Sequence, residues 1–268
     1  MKIYFPQWQG SGNGTSIAKG AETILNYLKD DSIATVALSP IPSGKQGYSS
    51  HHINNYNAIT EQLGRFKDLL SEKSPNQIQI IGGDCGLEIV PISYLNKKYS
   101  SLGVIWFDAH ADINTPIDSP SGNFHGMPLR TLLGEGEIGM ESLLYSHIKN
   151  DQIHYLGLRD IDKKEQQRIE EGDIYATTDI QTKHLVNILL HKGITHLYLH
   201  FDFDCLNPSE FNKTYYQVPA GLTIAQSVKC IKGLKDNFSI VGSSVLESTA
   251  ATQKDLLPIL PIIDALMK

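Results

Sequence analysis

The sequence predicts an α/β fold: a mainly parallel sheet with helices on both faces. Two observations predict it. Several short runs are apolar without alternation, as LGVIWF at 102–107 is, which marks strands buried on both faces. Segments with helical spacing lie between these runs, and the two kinds alternate almost throughout the chain.

Residues 33–38 read as the first strand. Residues 55–71 carry Ile59, Leu63, Phe66, Leu69 and Leu70 at helical spacing. A short β-rich run at 77–81 ends at Gly82-Gly83, and strands follow at 102–107, 153–158, 195–203 and 238–246. Helical patterns occupy about 180–191, 223–234 and 253–267. The last contains Pro258 and Pro261, so it should be kinked or broken. The stretches 39–52 and 114–126 are loop-like, and in an open α/β sheet such loops border the ligand site beyond the carboxyl ends of the strands.

The chain has 268 residues, within reach of a single domain, and no linker or repeat divides it, so 1–268 is expected to be one domain. Apolar residues make up 41% and charged residues 19%, an ordinary globular balance. A formal net charge of -6 without a basic block argues against nucleic-acid binding and leaves small or cationic partners. There is no secretory signal pattern and no apolar run of membrane-spanning length. With only Cys85, Cys205 and Cys230, free thiols in a reducing compartment are expected, hence a soluble, cytoplasmic protein.

Chemistry concentrates where strands end. Asp108, His110 and Asp112 follow LGVIWF at alternate positions, so an extended chain would point all three to one side. A solvated acidic loop is the bland alternative. Asp202 and Asp204 follow THLYLHF in the same way, flanked by aromatic and aliphatic residues that make two unpaired acids costly. His200 lies in that alternation and reads more often as a core residue, or as one that supports the ligands from behind, than as a ligand. Four carboxylates and one imidazole exceed what one divalent ion needs and suit a pair that activates water. Oxygen-rich donors favour Mn²⁺ over structural Zn²⁺.

Gly82-Gly83-Asp84-Cys85 follows another strand, and the glycines would permit a sharp turn. By position alone, Cys85 reads as a small buried residue, with metal ligand or reactive thiol as alternatives. The loop beyond Asp112 holds Asn114, Ser121, Asn123 and His125; a lone loop histidine is usually just exposed, but this one could move protons. Asp160 and Asp162 end a further strand and could meet a cationic group, while Asp162 also reads as the N-cap of the helix KKEQQRIEE.

Together these motifs resemble the arginase family of ureohydrolases, which includes agmatinases and formimidoylglutamases, and arginase most closely. GGDC resembles that family's GGDH; DAHADINTP, SGNFHGMP, GLRDID, FDFDCLNP and VLES resemble its other signatures, in family order from about 80 to 250. The resemblance implies a three-layer α/β/α sandwich and a two-manganese centre. Asp108 and Asp202 would bridge both ions, Asp112 would bind the first, and His110 and Asp204 the second. A metal-bridging hydroxide would attack the guanidinium carbon. Asp112 would pass its proton to the leaving amine, His125 would shuttle protons to solvent, and Glu247 would grip the guanidinium. Asn114, Ser121 and Asn123 match positions that hold an α-carboxylate, and Asp160 and Asp162 those that hold an α-amino group. L-Arginine is therefore favoured over agmatine. A homo-oligomer, trimer or hexamer, is also implied.

Two departures qualify this. Cys85 stands where the family places a histidine ligand of the first ion. A thiolate is softer and suits zinc, iron or cobalt better than manganese. Altered metal use, a weakened first site, or lost catalysis are the open consequences, and another guanidino or formimino substrate or a non-catalytic protein are the competing functions. Cys85 and Cys205, both near the cluster in sequence, could form a redox pair. Residues 212–218 also depart from the family run, and Tyr215 or Tyr216 could narrow the pocket.

Overall fold

All six residues of Leu102–Phe107 are buried, as a strand covered on both faces requires. Alternate side chains leave a strand on opposite sides: Val104 and Trp106 join one core, Ile105 and Phe107 the other. A computed structural model describes residues 1–12, 14–41 and 49–268 and places this strand inside an eight-stranded sheet. In chain order the strands are β1 (Lys2–Phe5), β2 (Ala34–Thr35), β3 (Ile78–Gly82), β4 (Leu102–Phe107), β5 (Ile153–Leu156), β6 (Tyr175–Thr177), β7 (His196–Phe201) and β8 (Ser239–Val245). Their order across the sheet is β2-β1-β3-β8-β7-β4-β5-β6, with every neighbouring pair parallel.

Helices cover both faces, giving the three-layer α/β/α sandwich. Of these, α1 (Thr15–Leu28), α5 (Thr182–His191), α6 (Ile224–Asn237) and α7 (Leu260–Met267) pack on one face through Ile24, Leu189, Ile231 and Ile263. On the other face are α2 (Tyr56–Lys73), α3 (Ile89–Lys98) and α4 (Lys163–Glu171). In α2 the residues buried include Ile59, Leu63, Phe66 and Leu70, the stripe that its spacing predicts.

Asp162 does cap α4: its Oδ1 accepts from the backbone N of Lys164 at 2.7 Å and of Glu165 at 2.9 Å. The C-terminal pattern is broken as expected, into Gln253–Leu256, a 3₁₀ turn at Leu257–Ile259 and α7, with a proline in the first turn of each of the last two. The strand expected at 33–38 shrinks to Ala34–Thr35, which pairs only with β1 at the sheet edge. Of the loop 39–52, residues 42–48 lie outside the described residues. Among the described residues no helix is long and apolar enough to cross a membrane.

Candidate metal centre and substrate cleft

Four strands adjacent at the middle of the sheet, β3, β8, β7 and β4, deliver the candidate residues from their carboxyl ends. Cys85 follows β3, Glu247 follows β8, Asp202 and Asp204 follow β7, and Asp108, His110 and Asp112 follow β4. Among the described residues, three overlapping sets have ligand atoms within 4.8 Å of one another: Asp108, His110 and Asp204; Cys85, Asp108, Asp112 and His200; Cys85, Asp202 and Glu247.

Strand alternation alone does not produce this convergence. The backbone turns left-handed at Asp112 (φ 51°) and at Glu247 (φ 60°). Asp tolerates that region; Glu seldom occupies it, and the surroundings must hold it there. After β7 the chain enters a 3₁₀ turn, Phe203–Cys205, and Asp202 Oδ1 accepts from the backbone N of Asp204 at 2.7 Å. The two acids are thus set by a capped turn, not by an extended strand.

Gly83 serves close approach rather than a sharp turn: a Cβ there would lie 1.8 Å from the carbonyl oxygen of Gln7. Asp84 then locks this crossing. Its carboxylate accepts from Gln7 Nε2 (2.8 Å), Gly10 N (2.8 Å) and Gly86 N (2.9 Å). Cys85 is thereby aimed at the cluster, its Sγ 3.4 Å from Asp202 Oδ2 and 3.8 Å from His200 Nε2. The sequence reading of Cys85 as merely a buried residue is half of the answer: it is buried, and it faces the acids. All three cysteines are free, and Cys85 and Cys205, anticipated as a redox pair, pack in cores on opposite faces of the sheet.

The cluster holds more acid than its own bases neutralise. Burial, reinforced by neighbouring carboxylates, pushes Asp112 and Asp202 well above the carboxylate range. Burial also lifts Asp204 to about 6, and the Asp108 charge adds to it. Burial acts the same way on Asp108, yet His110 and His200 beside it outweigh that and hold it low. Burial opposes the charge on His110, but Asp204 (Oδ2 3.0 Å from Nδ1) and Asp108 (Oδ1 3.4 Å) raise it far above the histidine range. Burial and the surrounding carboxylates push the Cys85 thiol up. Buried Asp112 Oδ2 and Glu247 Oε2 have no hydrogen-bond partner. Orphaned acid oxygens beside these donors fit bound cations, whose charge would oppose the upward shifts and hold Asp108 lower still.

Glu247 lies beside Cys85 and Asp202 in the cluster. Its Oε1 accepts from the backbone N of Cys85 at 3.3 Å and lies 3.6 Å from His125 Nδ1. Tyr216 stacks on His125 (centroids 5.4 Å) and meets His110 edge-on (5.8 Å), while Tyr215 bonds Ser16. Asn114 Nδ2 donates to Asp162 Oδ2 at 2.9 Å, joining two loops, and Asn114 Oδ1 is buried and unpartnered. Asp160 is exposed, with Oδ2 3.6 Å from His110 Nε2. Asn123 is tied into the scaffold: Nδ2 donates to the Ser11 carbonyl at 3.3 Å, and Oδ1 accepts from Asn54 Nδ2 at 2.9 Å. Ser121 Oγ accepts from the backbone N of Asn123 at 3.1 Å.

Sequence reasoning missed Glu88 and Trp106 and read His200 as core or as a support behind the ligands more often than as a ligand. Trp106 Nε1 donates to Asp108 Oδ2 at 3.0 Å, and Glu88 Oε1 lies 3.1 Å from His200 Nδ1. The available signal was position: Glu88 follows Cys85 by three residues, and His200 precedes Asp202 by two on one side of a strand.

The chain matches the arginase family model over residues 25–255. An arginase of Staphylococcus aureus (strain MRSA252) is 32% identical over 251 residues, covering 90% of this chain and 78% of that one. One of Plasmodium berghei is 32% identical over 238 residues, covering 79% and 67%. The arginase of Entamoeba histolytica, solved in complex with L-ornithine, superposes with a TM-score of 0.85 at 25% identity, covering 99% of this chain and 97% of that one. The Bacillus subtilis arginase superposes with a TM-score of 0.78 at 25% identity, covering 100% and 98%.

Proposed function

The chain belongs to the arginase family and is a ureohydrolase, and from that premise we propose that it hydrolyses L-arginine to ornithine and urea. Two divalent ions would be held by Cys85, Asp108, His110, Asp112, Asp202 and Asp204. The observation that carries this reading is the convergence of these donors at the end of four adjacent strands, with Asp112 Oδ2 and Glu247 Oε2 buried and unbonded. Asp108 falls both in the set with Cys85 and Asp112 and in the set with His110 and Asp204, which supports it as a shared ligand, with Cys85 and Asp112 on the first ion and His110 and Asp204 on the second. Asp202, grouped with Cys85, would be the other shared ligand, as the family resemblance implies. Bound there, the ions would supply a water acidic enough to act as nucleophile near neutral pH.

The protein's own groups handle position and protons. Glu247 binds the substrate guanidinium through its free Oε2, a charge-assisted contact in a dry site. Water adds its oxygen to the guanidinium carbon, and the bond from that carbon to the ornithine δ-nitrogen breaks. Asp112 Oδ2 takes the water's proton and delivers it to that nitrogen. His125, partly buried and next to Glu247, relays a proton to solvent, and Tyr216 across its face limits the opening.

At the far end of the substrate, Asn114, Ser121 and Asn123 bind the α-carboxylate, and Asp160 and Asp162 the α-amino group. The Asn114–Asp162 hydrogen bond supports this, since it holds the two halves of an amino-acid site together. Mn²⁺ fits the oxygen donors, while Cys85 draws the first site towards Co²⁺, Fe²⁺ or Zn²⁺. We also take residues 1–268 as one domain, since the sheet draws strands from both ends of the chain, acting in the cytoplasm as a trimer or hexamer.

Turnover of L-arginine beside agmatine tests the substrate assignment. L-Arginine should have the higher kcat/KM by at least about 10-fold, the value of one charged hydrogen bond. A preference for agmatine would overturn the α-carboxylate site. Turnover of another guanidino or formimino compound alone would move the function to that substrate.

A further inference from the structure

We infer that His200 supplies an imidazole nitrogen to the first metal site, giving it a thiolate–imidazole–carboxylate donor set in which β7 contributes the nitrogen. This rests on the two-ion reading above and deepens it.

His200 is fully buried, and its ring is fixed by a hydrogen bond at Nδ1 and by a stacked indole. Nδ1 donates to Glu88 Oε1 at 3.1 Å, because a carboxylate can only accept. Glu88 is itself fully buried, and its other oxygen accepts from the Tyr198 hydroxyl. The Trp106 indole stacks on the imidazole, with centroids 3.4 Å apart and planes 6° apart. With Nδ1 occupied, the neutral tautomer leaves a lone pair on Nε2.

That lone pair faces the cluster. Nε2 lies 3.8 Å from Cys85 Sγ and 3.6 Å from Asp108 Oδ2, and it shares one ligand set with both and with Asp112. A nitrogen–oxygen gap of 3.6 Å is too long for a good hydrogen bond. It is what two ligands of one ion show: donors about 2.0–2.3 Å from a tetrahedral ion stand roughly 3.3–3.8 Å apart. The Glu88–His200 pair also gives a buried carboxylate a purpose. A carboxylate bonded to the far nitrogen of a ligating histidine fixes the tautomer and raises the basicity of the donor. In this arrangement the turn after β3 contributes the thiolate and the end of β7 the imidazole.

The test uses the full chain, stripped of metal and titrated with Zn²⁺ and Co²⁺. Ions per chain, affinities, zinc X-ray absorption and cobalt absorption are measured on the native protein and on His200→Gln, Glu88→Gln and Cys85→Ser. The native protein should bind two ions, with a sulfur neighbour at about 2.3 Å and imidazole scattering from His110 and His200. His200→Gln should lose one imidazole and weaken the first ion by more than about 100-fold, while the second ion stays. Glu88→Gln, which keeps the ring and guards against a folding failure, should weaken the first ion by about 10–100-fold. Cys85→Ser should remove the sulfur neighbour and the thiolate band. Two ions bound by His200→Gln with unchanged affinity and unchanged imidazole scattering would overturn the inference and leave the two-ion reading standing. A native protein that binds no ion would overturn both.

Discussion

Asp112 combines a left-handed backbone (φ 51°) with a buried, unbonded Oδ2, and Glu247 combines φ 60° with an unbonded Oε2. Strain and an orphaned acid oxygen in one residue mark positions kept for something other than stability. Glu247→Gln keeps the shape and removes the charge, so kcat/KM for L-arginine should fall at least about 30-fold in steady-state assays, the lower range for losing one side of a buried charge pair. Asp204→Asn should remove a ligand of the second ion and abolish urea release, by more than about 100-fold, with less metal retained per chain. At this scale the sequence was legible where candidate donors follow strands at alternate positions: Asp108, His110, Asp202 and Asp204 all reach the cluster. His200 and Glu88 were not legible. Their meaning lies in a contact across 112 residues, and a histidine in an apolar strand looks the same whether it packs or ligates.

The connections after the strands do the aiming. The strands bring four chain ends together, but a capped 3₁₀ turn orients Asp202 and Asp204, and the Gly83–Gln7 crossing orients Cys85. Gly83→Ala puts a Cβ 1.8 Å from a backbone oxygen, so unfolding experiments should show a loss of about 3 kcal/mol together with weaker metal binding. Asp162 caps α4, and the substrate contact proposed for it can be separated from that role. Asp162→Ala should lose about 1 kcal/mol of stability, and Asp162→Ser should recover it, since serine also caps. Both should raise KM for L-arginine by roughly 10-fold, through the lost charged hydrogen bond. The run at β4 was readable because burial on both faces makes it continuous and apolar. β1 and α1 went unread: β1 is four residues with alternating burial, and α1 starts without a side-chain cap.

Across the molecule, one sheet gathers a self-repelling acidic cluster whose neutralisation must come from outside the chain. Metal-free, this has a consequence for pH. Burial raises Asp84 to about 7 from 3.8, Glu165 to about 7 from 4.5, and Asp204 to about 6 from 3.8. Such groups bind protons more tightly in the folded state. The stability they lend is full below the unfolded value near 4 and is lost as pH rises through 6 to 7. His154, lowered to about 4 by burial and Lys192, acts the other way, against those three and against Asp112 and Asp202, which burial also raises. Thermal unfolding of the metal-stripped protein should therefore show Tm falling from pH 5 to pH 7, on the order of 5 °C. Saturating metal should reverse the slope, because ligands must lose protons to bind. The most direct test of the central claim is urea release from L-arginine by metal-stripped protein, before and after adding Mn²⁺, Co²⁺, Fe²⁺ or Zn²⁺. No urea before, and urea after with at least one ion but not with Asp204→Asn, is the predicted result. Urea release independent of metal, or none with any of the four ions, would contradict it.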